Sequence, residues 1–528
     1  MHILTVSGSP GRLEQGISSA AVGAPARLLL TAKEYMPTGW TGKGLCESMA
    51  LSCSRVPMGV VEELRPIFSP KSIAVIGASR SPMKIGYEIL QNILVQGYQG
   101  KVYPINPEVP EIMGLRVLPS VLAVKDDIDL AIIAVPAEYV PKVMTECARK
   151  KVKGAIVISS GFGEIGGHGK ELEDEVLQIA RKGGIRLIGP NTLGYKDPID
   201  RLDAAFVFGM PMVGEIALIS QSGALCIGMI YYANGEHIGL SRVISVGNKA
   251  DIDDADLIDY LDADRETKVI AMYIEGIKDG KKFLDSARKC TKPIVAIKAG
   301  RTPAGSAAAS THTGSLSGSD VVYDSAFRQV HVQRAYDVIE MFDFARALAY
   351  QPPAAGNRVG IISNGGGAGI MIADWCESIG LKVPNLSKKT ADALRPQLPS
   401  ITTARNPLDV TGDARFHRYH ATGATMLSDP NVDSLIMTCV HAGIARPREY
   451  VGAVIKLVEE KRNLKKPIIA CWVGGPEIDE VVQELRVKNI PVYSSAMRAA
   501  KAVKCLYDEG RRLEAISKKK QARENPSK

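Results

Sequence analysis

Lys71-Ser-Ile-Ala-Val-Ile-Gly77-Ala-Ser-Arg80, running on into Gly86-Tyr-Glu-Ile-Leu-Gln-Asn-Ile-Leu94, decides the fold. A short apolar run that stops at a glycine is a strand buried on both faces, and the apolar spacing after Gly86 is helical. The same strand, small-residue turn and helix recur twice. Gly214-Glu-Ile-Ala-Leu-Ile-Ser220-Gln221-Ser222-Gly223-Ala224-Leu225 is the second copy. Arg358-Val-Gly-Ile-Ile-Ser363-Asn364-Gly365-Gly366-Gly367-Ala368-Gly369 is the third, feeding a helix expected over 370–379. Three related units are implied, not a solenoid.

Further apolar runs start at Lys101, Asp129, Gly154, Ile185, Thr267, Lys292, Ser434 and Pro467, and a closing strand is expected at Pro491-Val-Tyr-Ser494-Ser495. Strands separated by helical segments make βαβ units. The fold class is therefore α/β with parallel sheets, and ligands are expected at the carboxyl ends of the strands. The expected domains span 62–195, 196–352 and 356–512, followed by a basic tail over 513–528. Residues 1–61 lack sustained periodicity and read as a disordered or mis-assigned extension, with Met58 an alternative start.

At 528 residues the chain exceeds one core. Nine scattered cysteines form no C-x-x-C pair, a pattern that fits a reducing cytoplasm with no metal site. No apolar run reaches the length of a membrane span. The net charge of +8 does not indicate nucleic acid, because residues 511–528 alone carry seven Lys/Arg against two Glu.

The turns supply candidate anion sites. In the first unit they are Gly77, Ser79, Ser81, Asn106, Pro107, Val135, Pro136, Ser159, Ser160, Gly161 and Asn191. The spacing Gly77 to Gly86 is not G-x-G-x-x-G, so an adenosine-diphosphate moiety is favoured there, while Glu108 leaves NAD open. In the second unit Ser222 and Gly223 open a helix whose N–H groups suit a phosphate, although a serine that only caps its helix fits equally. In the third, Asn364, Gly365, Gly366 and Gly367 expose backbone N–H groups. Glu275 stands at a strand exit, either as a support for an imidazole or as a solvated carboxylate. The segment Thr302 to Asp320 is nearly all small residues around one ring, His312, and reads as a mobile loop. A carrier histidine and an incidental one on a Ser/Ala-rich loop suit that composition equally.

These residues match a known family. Ser310-Thr311-His312-Thr313-Gly314-Ser315-Leu316-Ser317-Gly318 resembles the phosphohistidine loop of the α subunit of ADP-forming acyl-CoA synthetases, relatives of succinyl-CoA synthetase. Gly189-Pro190-Asn191-Thr192-Leu193-Gly194 and Tyr273-Ile274-Glu275-Gly276 are similar to other segments of that family, and the likeness covers roughly residues 62–510. It implies a Rossmann-like CoA-binding domain followed by two flavodoxin-like parallel-sheet domains. His312 becomes the phosphoryl carrier and Glu275 its support; the first-unit turn binds CoA, and Ser222-Gly223 and Asn364–Gly367 bind phosphate. A separate ATP-grasp β subunit is implied to supply ADP/ATP and Mg²⁺, in an α2β2 heterotetramer. Near Ile227 the chain lacks an aromatic residue found in some succinate-specific relatives, which points away from succinate.

Overall fold

The structure, a computed structural model, describes residues 58–313, 318–441 and 444–524. The expectations for residues 1–57 and for the side chain of His312 lie outside the described residues, whereas residues 58–61, expected to belong to a disordered extension, open the α-helix Met58–Phe68. Three sheets carry the fold.

The first sheet is wholly parallel, in the spatial order Lys101–Ile105, Ser72–Ile76, Leu130–Ile133, Gly154–Val157, Arg186–Ile188. Ser72–Ile76 is buried at every position, as an uninterrupted apolar run demands of a strand with helices on both faces. Its strands appear in the order second, first, third, fourth, fifth, so the order reverses between Ser72–Ile76 and Leu130–Ile133. A crevice opens at such a reversal, beyond the carboxyl ends of the two strands. The third sheet repeats this order: Leu408–Asp409, Val359–Ser363, Ser434–Val440, Ile468–Val473, Val492–Tyr493, all parallel.

The second sheet has seven strands. Five are parallel and follow the same order, read as Leu240–Ser245, Val213–Ser220, Val269–Ile274, Ile294–Lys298, Gln333–Ala335. The other two, Gly194–Asp197 and Leu202–Ala205, add an antiparallel hairpin beyond Leu240–Ser245. The hairpin was not legible because its buried strands hold charges. Lys196 Nζ lies 2.7 Å from both carboxylate oxygens of Asp203, and Arg242 Nη1 2.9 Å from Asp197 Oδ1. Asn92, on the first-sheet helix Ile85–Gln96, donates to Ala205 O at 2.9 Å and so docks the hairpin against that helix.

Two expectations need correction. Residues 302–320 are not a continuous loop: Pro303–Thr313 is an α-helix and Asp320–Gln329 another. Thr302 Oγ1 accepts from Gly305 N–H at 3.1 Å, Pro303 takes the first turn, and alanines follow, so small residues here build a helix. The third-unit helix begins at Gly366, not 370, and runs to Ser378, so two of the three glycines form its first turn. The basic tail is the end of one long helix, Ala496–Glu524. Its buried Arg512 reaches Cys290 O at 3.2 Å and Thr291 O at 2.8 Å, clasping the second sheet's periphery. All seven described cysteines are free and buried.

Candidate functional site

The second sheet reverses its strand order between Val213–Ser220 and Val269–Ile274, and the residues leaving those strands meet there. Ser220 is fully buried and its hydroxyl donates to Ser222 O at 2.7 Å. Ser222 caps the helix Gly223–Gly235, its Oγ accepting from Leu225 N–H at 3.3 Å. The capping role is thus realised, and it leaves the first-turn N–H groups at Gly223 and Ala224 pointing out of the helix end. Between them Gln221 spans to the neighbouring strand: its Oε1 accepts from Glu275 N–H at 2.9 Å and Gly276 N–H at 3.1 Å. Glu275 is 6% exposed, not the solvated carboxylate of the plain reading. Burial and the Glu275 carboxylate, to which it hydrogen-bonds, push the Tyr273 hydroxyl up to about 12. Lys298 ends the next strand, paired in register with Ile274 and 1% exposed.

In the first sheet the same location gathers the expected ligand residues. Gly77 sits at φ 91° with its N–H on Ile105 O at 3.1 Å; a Cβ there would lie 2.5 Å from Ala134 O. A Cβ on Gly86 would meet Gly77 O at 1.9 Å, so the glycine pair lets helix and strand end touch. Ser79 Oγ accepts from Ser81 N–H at 3.0 Å. Asn106 braces the turn, donating to Ala78 O at 2.8 Å and accepting from Glu108 N–H at 2.8 Å. The Ser159 hydroxyl donates to Val135 O, and Asn191, at φ 58°, donates its N–H to Ser159 O at 2.8 Å. Pro107 and Pro136 follow Asn106 and Val135 out of the sheet, and Ser160 is exposed between Ser159 and Gly161.

The N–H of Gly161 already has a partner, because Glu164 folds back onto Gly161 and Phe162. Burial works against that carboxylate's charge, but the Asn248 amide at 2.6 Å and the two N–H groups outweigh it and hold Glu164 below its usual range. Asn248 also donates to Glu173 at 2.9 Å and contacts Asn191 at 3.3 Å. It therefore ties the first-sheet turns to the second sheet. The helix Pro303–Thr313 lies against the turn Gly163–Ile165, so the backbone carrying His312 reaches the first-sheet loops.

The third turn closes within its own sheet. Asn364 is buried, donates to Val440 O at 2.8 Å and accepts from Val440 N–H at 2.7 Å. The Ser363 hydroxyl accepts from Gly365 N–H at 3.1 Å, and Gly365 precedes the helix without a side-chain cap. A Cβ on Gly366 would lie 3.2 Å from Asp409 Oδ2, while one on Gly367 would meet nothing within 4 Å. No hydrogen bond among the described residues joins Asn364–Gly367 to Gln221 or Ser222. Nor do the described residues include a group of three His, Cys, Asp or Glu placed to hold a metal.

Gln221, Asn248, Glu164 and Lys298 were missed. Gln221 and Lys298 lie inside runs that the sequence already marks, but as polar residues with no evident partner.

Residues 71–198 match the CoA binding domain family, 213–348 the succinyl-CoA ligase like flavodoxin domain, and 359–513 the Ligase-CoA domain. The acetate–CoA ligase [ADP-forming] I subunit alpha of Pyrococcus furiosus is 44% identical over 451 residues, 84% of this chain and 97% of that one. The chain belongs to the ADP-forming acetate–CoA ligase family. A family member from Methanocaldococcus jannaschii is 42% identical over 84% of this chain and 63% of its own length. The family is also represented by a solved structure from Ca. Korarchaeum cryptofilum, described as a dinucleotide-forming acetyl-coenzyme A synthetase 1 in complex with phosphate and ADP. It superposes with a TM-score of 0.83 at 40% identity, covering 86% of this chain and 98% of that one.

Proposed function

We propose that this chain is the CoA-binding, phosphohistidine-carrying α subunit of an ADP-forming acyl-CoA synthetase. One observation carries the reading. The buried Glu275 and the strand leading to the His312 helix leave one sheet side by side, and that helix runs to the loops of the sheet that matches the CoA-binding family.

Inorganic phosphate attacks the thioester carbonyl of acyl-CoA; the carbon–sulfur bond breaks, and CoA leaves with a proton, giving an acyl phosphate. A ring nitrogen of His312 then attacks phosphorus and releases the carboxylate, dividing one transfer into two. Gly223 and Ala224 at one helix end, and Gly366 and Gly367 at another, supply N–H groups and the positive end of a dipole for the phosphate charge. Glu275 balances the charge that the imidazole gains. CoA lies along Gly77–Ser81, Asn106-Pro107, Val135-Pro136, Ser159–Gly161 and Asn191. The phosphoryl group passes to ADP on a separate ATP-grasp β subunit, which also provides Mg²⁺, in an α2β2 assembly. The subunit name of the Pyrococcus relative, and the larger size of the Methanocaldococcus one, support a partner of this kind. Among the described residues no helix is long and apolar enough to cross a membrane; the compartment proposed for the enzyme is the cytoplasm.

Phosphohistidine is stable in base and lost in acid. The chain with its partner, given acyl-CoA and labelled phosphate, takes up acid-labile label, and His312→Ala takes up none. Stabilisation by CoA with no label in the wild type overturns the reading in favour of a binding subunit without turnover.

A further inference from the structure

The side chain of Lys298 is nearly inaccessible, at 1% exposure, yet among the described residues it has no carboxylate partner within salt-bridge distance. Its ammonium donates to Ala299 O, the first carbonyl after the strand, and stands 4.6 Å from the centroid of the Tyr323 ring. These two contacts belong to opposite ends of one excursion of the chain. Ala299 and Gly300, the latter at φ 73°, begin the path into the His312 helix, and Tyr323 lies one turn into the helix Asp320–Gln329, on which the chain returns. Tyr323 is itself fixed to the sheet exit, since its hydroxyl accepts from Ile277 N–H at 3.1 Å, two residues after Glu275.

A second tie runs outside the first. Arg301 and Arg334 both stack on Tyr336, at 4.6 and 5.3 Å, and Arg334 pairs with Asp320 and Asp324. In that outer tie Arg334 is met by two carboxylates; Lys298, in the inner one, is met by none among the described residues. Ammonium has three donors, and one carbonyl with one aromatic face is thin solvation for a buried charge. Burial pulls the Lys298 ammonium down from its ordinary pKa, while Asp320 and Glu275 oppose the pull. A sheet core has no need of a cation at this position.

Resting on the carrier role of His312, we propose that Lys298 is a positioning residue for phosphoryl transfer. Its buried charge draws together the two stems of the histidine-bearing segment and presents a positive centre beside Glu275. The residue acts through the segment and not by bonding to phosphorus.

The test uses the chain with its partner in single-turnover labelling from acyl-CoA and labelled phosphate. Lys298→Met, of similar length and uncharged, labels on the order of 100-fold more slowly, as expected for a misplaced reacting group, with KM for acyl-CoA unchanged. Lys298→Arg recovers most of the rate because it keeps the charge. Tyr323→Phe, which keeps the ring under the ammonium but gives up the bond from Ile277 N–H, slows only a few-fold, whereas Tyr323→Leu falls with Lys298→Met. The Tyr323 pair decides the matter if Lys298→Met does not fold. Labelling of Lys298→Met at the wild-type rate, Arg no better than Met, or equal rates for the two Tyr323 variants overturns the proposal. Absence of label in the wild type instead refutes the carrier role of His312 itself, so the two failures are distinguishable.

Discussion

Replacing Gln221 separates two things that the geometry joins: the backbone of the Glu275 turn and the charge beside it. The amide oxygen of Gln221 accepts two N–H groups of that turn, at 2.9 and 3.1 Å. Each such bond contributes about 0.5–1.5 kcal/mol net, so Gln221→Leu, similar in size but without an acceptor, costs about 1–3 kcal/mol. For a unit of this size each kcal/mol moves the midpoint by about 2–4 °C, which predicts a fall of roughly 2–12 °C in Tm. Gln221→Glu keeps an acceptor for both N–H groups and so leaves Tm close to wild type, but it sets a second negative charge beside Glu275. Phosphoryl uptake should therefore fall in both variants, with loss of stability only in the leucine one. Differential scanning calorimetry and single-turnover labelling on the same preparations read the two effects. A leucine variant as stable as wild type, or a glutamate variant as unstable as the leucine one, refutes the reasoning.

The buried pair Lys196–Asp203 should behave as a unit. Lys196→Met alone leaves a buried carboxylate and costs about 3–5 kcal/mol, whereas the double change with Asp203→Leu comes close to wild type in urea unfolding. Gly86→Ala puts a methyl where Gly77 O stands 1.9 Å away, which predicts about 1–3 kcal/mol of strain and weaker CoA binding by calorimetry, since the Gly77–Ser81 turn must move. Asp433 is buried against Arg358, with contacts at 2.7 and 2.8 Å. Burial alone would raise its pKa, but the Arg358 guanidinium and N–H hold the carboxyl below the ordinary range. With the folded pKa depressed, the pair's stabilisation is full above the unfolded pKa of about 4 and is lost as pH falls through the folded value. Asp433→Asn should therefore be less stable at neutral pH and lose less on acidification, read by unfolding at a series of pH values.

The strands that announced themselves are those buried on both faces, such as Ser72–Ile76 and Val359–Ser363, because a parallel sheet between helices tolerates nothing polar there. The hairpin Gly194–Asp197 and Leu202–Ala205 is just as buried, yet its pattern is broken by Lys196, Asp197 and Asp203. Those charges neutralise one another or Arg242 only after folding, so the local pattern speaks against the strand that the tertiary contacts make. The helix Pro303–Thr313 failed for a different reason. Its Gly, Ser and Ala suggest a loop by their smallness, whereas the alanines and the Thr302 cap are the deciding helix signals.

The site divides along the same line. Turns were legible because a glycine or serine after an apolar run is a local fact, and all three begin beside the point where their sheet reverses strand order. What joins the turns was not legible. Gln221 meets Glu275 across 54 residues, and Asn248 meets Glu164 across 84. Neither residue type announces a bridge. Lys298 is the sharpest case: a lysine ending a strand is ordinarily taken to reach solvent, yet here it is buried, with the Tyr323 ring brought back over its ammonium by the helix Asp320–Gln329. Sequence thus marked the turns proposed to face ligand, whereas the residues that hold those turns in register depend on contacts between distant parts of the chain. Those holding residues are where substitutions should alter the rate of phosphoryl uptake while leaving acyl-CoA binding intact.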